Sequence, residues 1–175
     1  MQCQRGKKLD FIKEVFSTIE MTQTFIFVNS LDFAEKIHLK LRELGFSSFI
    51  MFSKMSKEER DDTITQFRNQ TINVLITTNL IARGIDVPEV ELVINYDVPL
   101  KKTNDRIVGD PEIYLHRIGR TGRFGKTGIA LTIWDRDVDK ESLDQIIEYY
   151  HMGGILNQLN GPEELKYKLR NIADL

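Results

Sequence analysis

The chain has 175 residues, of which 41% are hydrophobic and 29% are charged, so it is long enough for one domain with a sizeable core and does not have the composition of a disordered chain. Its formal net charge of −2 gives no overall attraction to nucleic acid, and any polyanion site must therefore be local. The single cysteine, Cys3, excludes an internal disulfide or a zinc cluster. Because no apolar stretch approaches the roughly 18 residues of a membrane span, we expect a soluble intracellular protein.

Apolar spacing switches repeatedly between helical and extended patterns along the chain. Helical spacing predicts helices over residues 9–19, 33–44, 56–67, 111–115, 138–149 and about 162–173. Short runs rich in β-forming residues predict strands over residues 24–28, 48–52, 74–77, 92–95 and 129–134. Ser56 followed by Glu59 is the signature of a capping box at a helix start. This alternation predicts βαβ units, and hence an α/β fold with a mostly parallel sheet and helices on both faces.

The loops after three predicted strands are candidates for a binding site. Ligands of open α/β sheets bind at the carboxyl ends of the strands, so we expect the loops that follow Val28, Thr77 and Asn95 to converge. Two irregular segments interrupt the pattern: a polar insertion at residues 100–110 and a link at residues 153–161.

Residues 116–126, HRIGRTGRFGK, place four cations among three glycines and contain no acid. Arginines at three-residue steps lie on neighbouring helical turns, so we expect Arg117, Arg120 and Arg123 to converge on one target. Arginine binds phosphate through two donors at once, and the glycines allow close approach of the backbone. A solvated basic helix end is the ordinary alternative. The segment is not a P-loop, because Arg120 stands where the first glycine of that loop is required.

Residues 77–86, TTNLIARGID, follow the predicted strand 74–77 directly. Hydroxyl and amide groups at the end of a strand are suited to a phosphate or a sugar. Gly84 permits a sharp turn, and Asp86 is placed to accept a hydrogen bond from a ribose hydroxyl. A strand that simply ends in a polar loop would show one of these features. Their combination favours a binding site.

These segments resemble the motifs of the DEAD-box RNA helicases in order and spacing. HRIGRTGR (116–123) resembles motif VI, and TTNLIARGID (77–86) resembles motif V. TFIFVNS (24–30) resembles motif IV, and LVINYDVP (92–99) resembles the strand between motifs V and VI. The resemblance implies that residues 1–175 form the second, C-terminal RecA-like domain, a three-layer α/β sandwich. The ATP-binding RecA-like domain of the family, with its P-loop and Asp-Glu-Ala-Asp motif, is absent from this chain. Asn79, the long link after Leu100 and the terminal helix resemble the subgroup that acts in mRNA export.

The resemblance also implies a role for each matching position. Arg120 and Arg123 resemble the catalytic arginine fingers that reach the γ-phosphate of ATP. The positions implied to contact the nucleotide are Gly84, Asp86, Arg120 and Arg123. The positions implied to contact RNA are Asn29, Ser30, Arg60, Thr78 and Asn79. His116 and Arg117 resemble residues that couple the two domains, and Phe27 is interpreted as core or as support for the arginines.

The implied cofactor is ATP with Mg²⁺, both held mainly by the domain that this chain lacks, and no metal ligand is expected here. The implied partners are single-stranded RNA, bound through its backbone, the ATP-binding domain, and a nuclear-pore activator with inositol phosphate. We expect a monomer without membrane contact, located in the cytoplasm and nucleus and at the nuclear pore. Two alternatives remain at this stage: a DNA helicase domain of the same superfamily, and a non-catalytic module that docks RNA or an activator.

Overall fold

The computed structural model describes residues 1–18, 23–78, 90–104, 106–122, 128–153, 156, 158–159, 161, 163–165 and 167. Its helices are α1 (Lys8–Thr18), α2 (Leu31–Glu43), α3 (Lys57–Arg68), α4 (Pro111–Ile118) and α5 (Asp137–Tyr149). Its strands are β1 (Thr24–Phe27), β2 (Ser48–Met51), β3 (Val74–Thr77), β4 (Leu92–Asn95), β5 (Leu100–Thr103), β6 (Arg106–Gly109) and β7 (Ile129–Thr132). Across these described ranges, no helix has the length and apolar character needed to cross a membrane.

Five of the strands form one parallel sheet in the order β2-β3-β1-β4-β7. The central strand β1 pairs with β3 on one side and with β4 on the other, so that Thr24 lies opposite both Val74 and Leu92. Every residue of β1, β3 and β4 is buried, as expected for a parallel sheet covered on both faces. The predicted α/β architecture is confirmed, and the strand centres lie where the apolar runs placed them.

Helices cover the two faces of the sheet and form three layers with it. Side chains alternate along β1, so Ile26 faces the layer of α1 and α2 while Phe25 and Phe27 face the layer of α3. The Phe25 ring stacks on that of Phe67 in α3, with the ring centroids 5.1 Å apart. A third cluster packs α4 and α5 together through the side chains Val98, Tyr114, Trp134, Leu143 and Ile146.

Local signals in the sequence account for several helix ends. Ser56 accepts a hydrogen bond from the Glu59 amide, and the Glu59 carboxylate accepts one from the Ser56 amide, which confirms the capping box. Asp110 caps α4 by accepting from the Ile113 amide at 3.1 Å, one residue before Pro111.

The polar insertion at residues 100–110 is not irregular, contrary to the prediction. It forms an antiparallel hairpin, β5–β6, in which Lys102 pairs with Ile107. The hairpin packs on α5 closely enough that a Cβ added to Gly109 would lie 2.9 Å from Cγ1 of Ile146. Of the predicted terminal helix, residues 163–165 and 167 are helical, and its other residues lie outside the described part of the chain.

Candidate functional site

The segments that follow β1 and β4 converge, as predicted, and the loop after β3 is described only as far as Thr78. The Val28 amide donates to the Thr77 carbonyl at 3.0 Å. The Asn29 amide donates to Oδ2 of Asp97 at 2.8 Å, and Nδ2 of Asn29 donates to the Val98 carbonyl at 2.8 Å. These bonds hold the motif IV strand end against the segment that follows β4.

Arg117 lies completely buried beneath this junction. Its Nη1 donates to the Asp97 carbonyl at 2.8 Å and lies 3.4 Å from Oδ1 of Asn95. Its Nη2 donates to Oδ1 of Asn29 at 3.2 Å, and the guanidinium carbon lies 5.1 Å from the centroid of the Phe27 ring. Phe27 is therefore both a core residue and a support for an arginine, which confirms its interpretation.

Burial lowers the pKa of Arg117 to about 9, against the opposing effect of Asp97 and Asp110, so the guanidinium stays charged at neutral pH. The expectation that three guanidiniums converge on one target is wrong for Arg117, because its fork is used inside the domain. Three-residue spacing predicts neighbouring turns but not the direction that a long side chain takes. The coupling role of Arg117 and half-buried His116 stays a prediction.

A second buried cation, Lys8 of α1, was missed by the sequence analysis. Its Nζ donates to the Tyr96 carbonyl at 3.0 Å and lies 3.5 Å from a carboxylate oxygen of Asp97. Carboxylate oxygens of Asp135 and Asp139 lie 3.4 and 3.6 Å from the same nitrogen. The signal was present, because Lys8 occupies the apolar stripe of α1 at helical spacing from buried side chains. This cluster ties α1 to the strand ends that Arg117 holds.

The end of motif VI pairs with Val90, two residues before β4 begins. The Val90 amide donates to the Arg120 carbonyl at 3.1 Å, and Oγ1 of Thr121 donates to the Val90 carbonyl at 2.6 Å. Val90 lies four residues after Asp86 in the sequence, and half-buried Arg120 pairs with it, while Asp86 itself lies outside the described residues. This pairing is at the amino end of β4, whereas the RNA candidates Asn29 and Thr78 lie at the carboxyl ends. Of the described candidates, Arg120 thus lies near the opposite end of the sheet from Asn29 and Thr78.

The structure describes only some of the remaining candidate residues. Asn79, Gly84, Asp86 and Arg123 lie outside the described residues, and their roles stay predictions. Ser30 is the N-cap residue of α2, with an extended backbone and no side-chain cap hydrogen bond. Arg60 is half-buried, and its Nε donates to the Ser56 carbonyl at 3.2 Å within α3.

A cavity of about 330 Å³ opens at the carboxyl ends of the strands. Asn29 and Thr78 form one side, and the hairpin forms the other through Leu100, Lys101, Lys102 and Ile107. A larger cavity of about 550 Å³ lies beside β7 and α5, and no predicted site residue lines it. No group of three or more carboxylate, imidazole or thiol side chains among the described residues suits a metal ion.

Comparison with known proteins identifies the family. Residues 7–125 match the family described as the helicase conserved C-terminal domain. The chain belongs to this family. It is 40% identical over 153 residues to the ATP-dependent RNA helicase dbp5 of Botryotinia fuckeliana, and 36% identical over 176 residues to dbp-5 of Neurospora crassa. These alignments cover 86% and 100% of the chain but only 32% and 36% of the relatives, so this helicase domain spans about a third of their length.

Solved structures agree with this assignment and with the recognised DEAD-box type. The C-terminal domain of the DEAD-box protein Dbp5 is 36% identical, with a TM-score of 0.79 over 87% of this chain and 82% of that chain. Saccharomyces cerevisiae Dbp5 bound to RNA and ADP BeF3 is 33% identical, with a TM-score of 0.85 over 98% of this chain and 44% of that chain. The RecA-like fold of this helicase domain is thereby confirmed.

Proposed function

We propose that this helicase domain supplies the arginine fingers and part of the RNA track of an ATP-dependent RNA helicase. The complete protein would separate short RNA duplexes or remodel RNA–protein complexes during mRNA export. The observation that carries the proposal is the pairing of Arg120 and Thr121 with Val90. It brings the chain of motif VI next to Val90, which is four residues after Asp86 in the sequence, and we infer that Asp86 would contact a ribose.

On the nucleotide side, ATP is a substrate held mainly by a second RecA-like domain. Arg120 and Arg123 would reach across the cleft and neutralise charge on the transferring γ-phosphoryl group, an effect of about 10³–10⁵ in rate in related NTPases. Mg²⁺ would offset charge on the phosphates when it is bound. Gly84 and Asp86 would position the sugar, so that the phosphoryl group meets the arginines only when the two domains close.

On the RNA side, the Thr78 hydroxyl and Arg60 would bind backbone phosphates. Contacts to phosphates carry no base information, so binding is expected to be largely independent of sequence and sensitive to salt. A strand bent by domain closure no longer fits a duplex, and this separates short helices. Hydrolysis would then reopen the cleft, because the closed state is favoured only while ATP and RNA are bound.

Relatives support the partners that we propose. Saccharomyces cerevisiae Dbp5 has been solved with RNA and ADP BeF3, and a variant of it with a Gle1 variant and IP6. The latter is 32% identical to this chain, with a TM-score of 0.87 over 100% of this chain and 45% of that chain. We infer a similar activator with inositol phosphate for the complete helicase, at the nuclear pore and between nucleus and cytoplasm.

The choice of nucleic acid tests this proposal. ATP turnover by the complete helicase should be measured with single-stranded RNA and with DNA of the same sequence and length. We expect RNA to stimulate turnover at least about tenfold more than DNA, which corresponds to about 1.4 kcal/mol from contacts to the 2′-hydroxyl. Equal stimulation would favour a DNA helicase of the same superfamily. Turnover that neither polymer stimulates would favour a docking module.

A further inference from the structure

The hairpin β5–β6 presents a distinct set of side chains on each face. Residues that pair across an antiparallel ladder share a face, and residues two apart on one strand share it as well. The pairing of Lys102 with Ile107 and of Leu100 with Gly109 therefore places these side chains on one face. Arg106 pairs with Thr103 and belongs to the opposite face.

Leu100, Lys102 and Ile107 of the first face line the cavity at the strand ends, and Lys101 lines it from the opposite face. The same cavity is lined by Thr78 and Asn29, so a hydroxyl and an amide lie across from a lysine ammonium. None of the described residues that line it is acidic. Lys102 is exposed, and Ile107 beside it is 65% exposed, although it is a large apolar side chain.

The cavity suits one unit of a phosphate-bearing strand. Its volume of about 330 Å³ is at the lower end of the range of ligand pockets, about 300–1,000 Å³. A lysine ammonium attracts a phosphate as a point charge, and an exposed isoleucine offers an apolar surface to a sugar or a base. Close packing of Gly109 on Ile146 holds one end of the hairpin against α5.

We propose that the hairpin is a second wall of the RNA-binding site. Lys102 binds the backbone phosphate that neighbours the one on Thr78, and Ile107 contacts the adjoining nucleotide. This inference rests on the proposed function and deepens it, because the hairpin lies outside every motif that carries the family resemblance. It explains how a chain with a net charge of −2 holds a polyanion, since the cation is local.

Salt dependence of RNA binding tests the hairpin directly. The complete helicase with ADP BeF3 should be titrated into a fluorescent single-stranded oligouridylate at several KCl concentrations, using Lys102→Ala, Lys102→Arg and Arg106→Ala. Arg106→Ala is the matched control, because it removes one charge from the same hairpin at a residue that does not line the cavity. Loss of one phosphate contact is expected to lower the slope of log Kd against log salt by about 0.7.

We expect Lys102→Ala to weaken binding about fivefold or more at low salt with this smaller slope, while Lys102→Arg and Arg106→Ala keep the wild-type slope. An unchanged Kd and slope in Lys102→Ala would overturn the inference and leave the proposed function standing. Equal losses in Lys102→Ala and Arg106→Ala would also overturn it, because they would reflect the general field of the hairpin. If the wild-type helicase binds no RNA, the proposed function itself fails.

Discussion

Replacing Arg123 by alanine in the complete helicase is expected to lower RNA-stimulated ATP hydrolysis by about 10³-fold or more. The reason is that a guanidinium aimed at the γ-phosphate stabilises charge that develops in the transition state and contributes little before it. RNA affinity should stay within about twofold, because the proposed contacts to the RNA backbone are made by other residues of the domain. Steady-state turnover and RNA titrations on one preparation measure both quantities.

The matched control is Arg42→Ala, which removes the same charge from the exposed face of α2. This control should hydrolyse ATP at the wild-type rate. Unchanged turnover in Arg123→Ala would remove the finger assignment. A loss of RNA affinity in place of turnover would move Arg123 to the RNA track.

Replacing Arg117 by methionine is expected to destabilise the chain by about 3 kcal/mol, since hydrogen bonds to a charged group are worth about 1.5–3 kcal/mol. The substitution leaves the Asp97 carbonyl and Oδ1 of Asn29 without their buried donor. For a chain of this size the melting temperature should fall by about 6–12 °C. Arg117→Lys keeps the charge but lacks the forked guanidinium that reaches both acceptors. We therefore expect its stability to lie between that of Arg117→Met and that of the wild type.

Thermal unfolding of the chain, followed by circular dichroism, measures this loss. Arg42→Met is the control, because its side chain is exposed on α2 and should shift stability by less than about 0.5 kcal/mol. A melting temperature of Arg117→Met equal to that of the wild type would show that the buried guanidinium contributes no net stability.

The sheet was predictable from sequence because its strands are short and continuously apolar. Leu92–Asn95 and Val74–Thr77 are buried along their whole length, so the apolar run alone marks the element. The hairpin was not predictable in this way, because β5 and β6 contain lysines and a glycine in place of an apolar face. Its formation depends on packing against α5, which is distant in sequence and invisible to a local pattern.

The sequence predicted which residues belong to the candidate site better than it predicted how those residues are arranged. The motif resemblance selected Asn29 and Arg117, and the structure brings them together, although as hydrogen-bond partners of each other, with Arg117 buried and Asn29 exposed. Spacing along a helix shows which side chains are neighbours, but it does not show that Arg117 turns back toward the strand ends. The Lys8 cluster depends on carboxylates of β4 and α5 loops, and only the lysine on an apolar stripe signalled it.

The hairpin also shows that the motifs do not contain all the residues that line the cavity at the strand ends. Motifs V and IV bring Thr78 and Asn29 to one side of a cavity, and the insertion closes the other side. A family resemblance assigns roles only to the residues that lie within its motifs. The residues that a chain adds between motifs have to be placed by their packing.

The central claim is that this domain supplies arginines to a nucleotide that another domain holds. Purified chain 1–175 should therefore be assayed for ATP hydrolysis with saturating RNA, next to the same chain carrying Arg123→Ala. We predict no hydrolysis above background in either sample, because the chain has no P-loop. Hydrolysis by chain 1–175 that disappears in Arg123→Ala would contradict the claim, since the complete ATPase site would then lie within this chain.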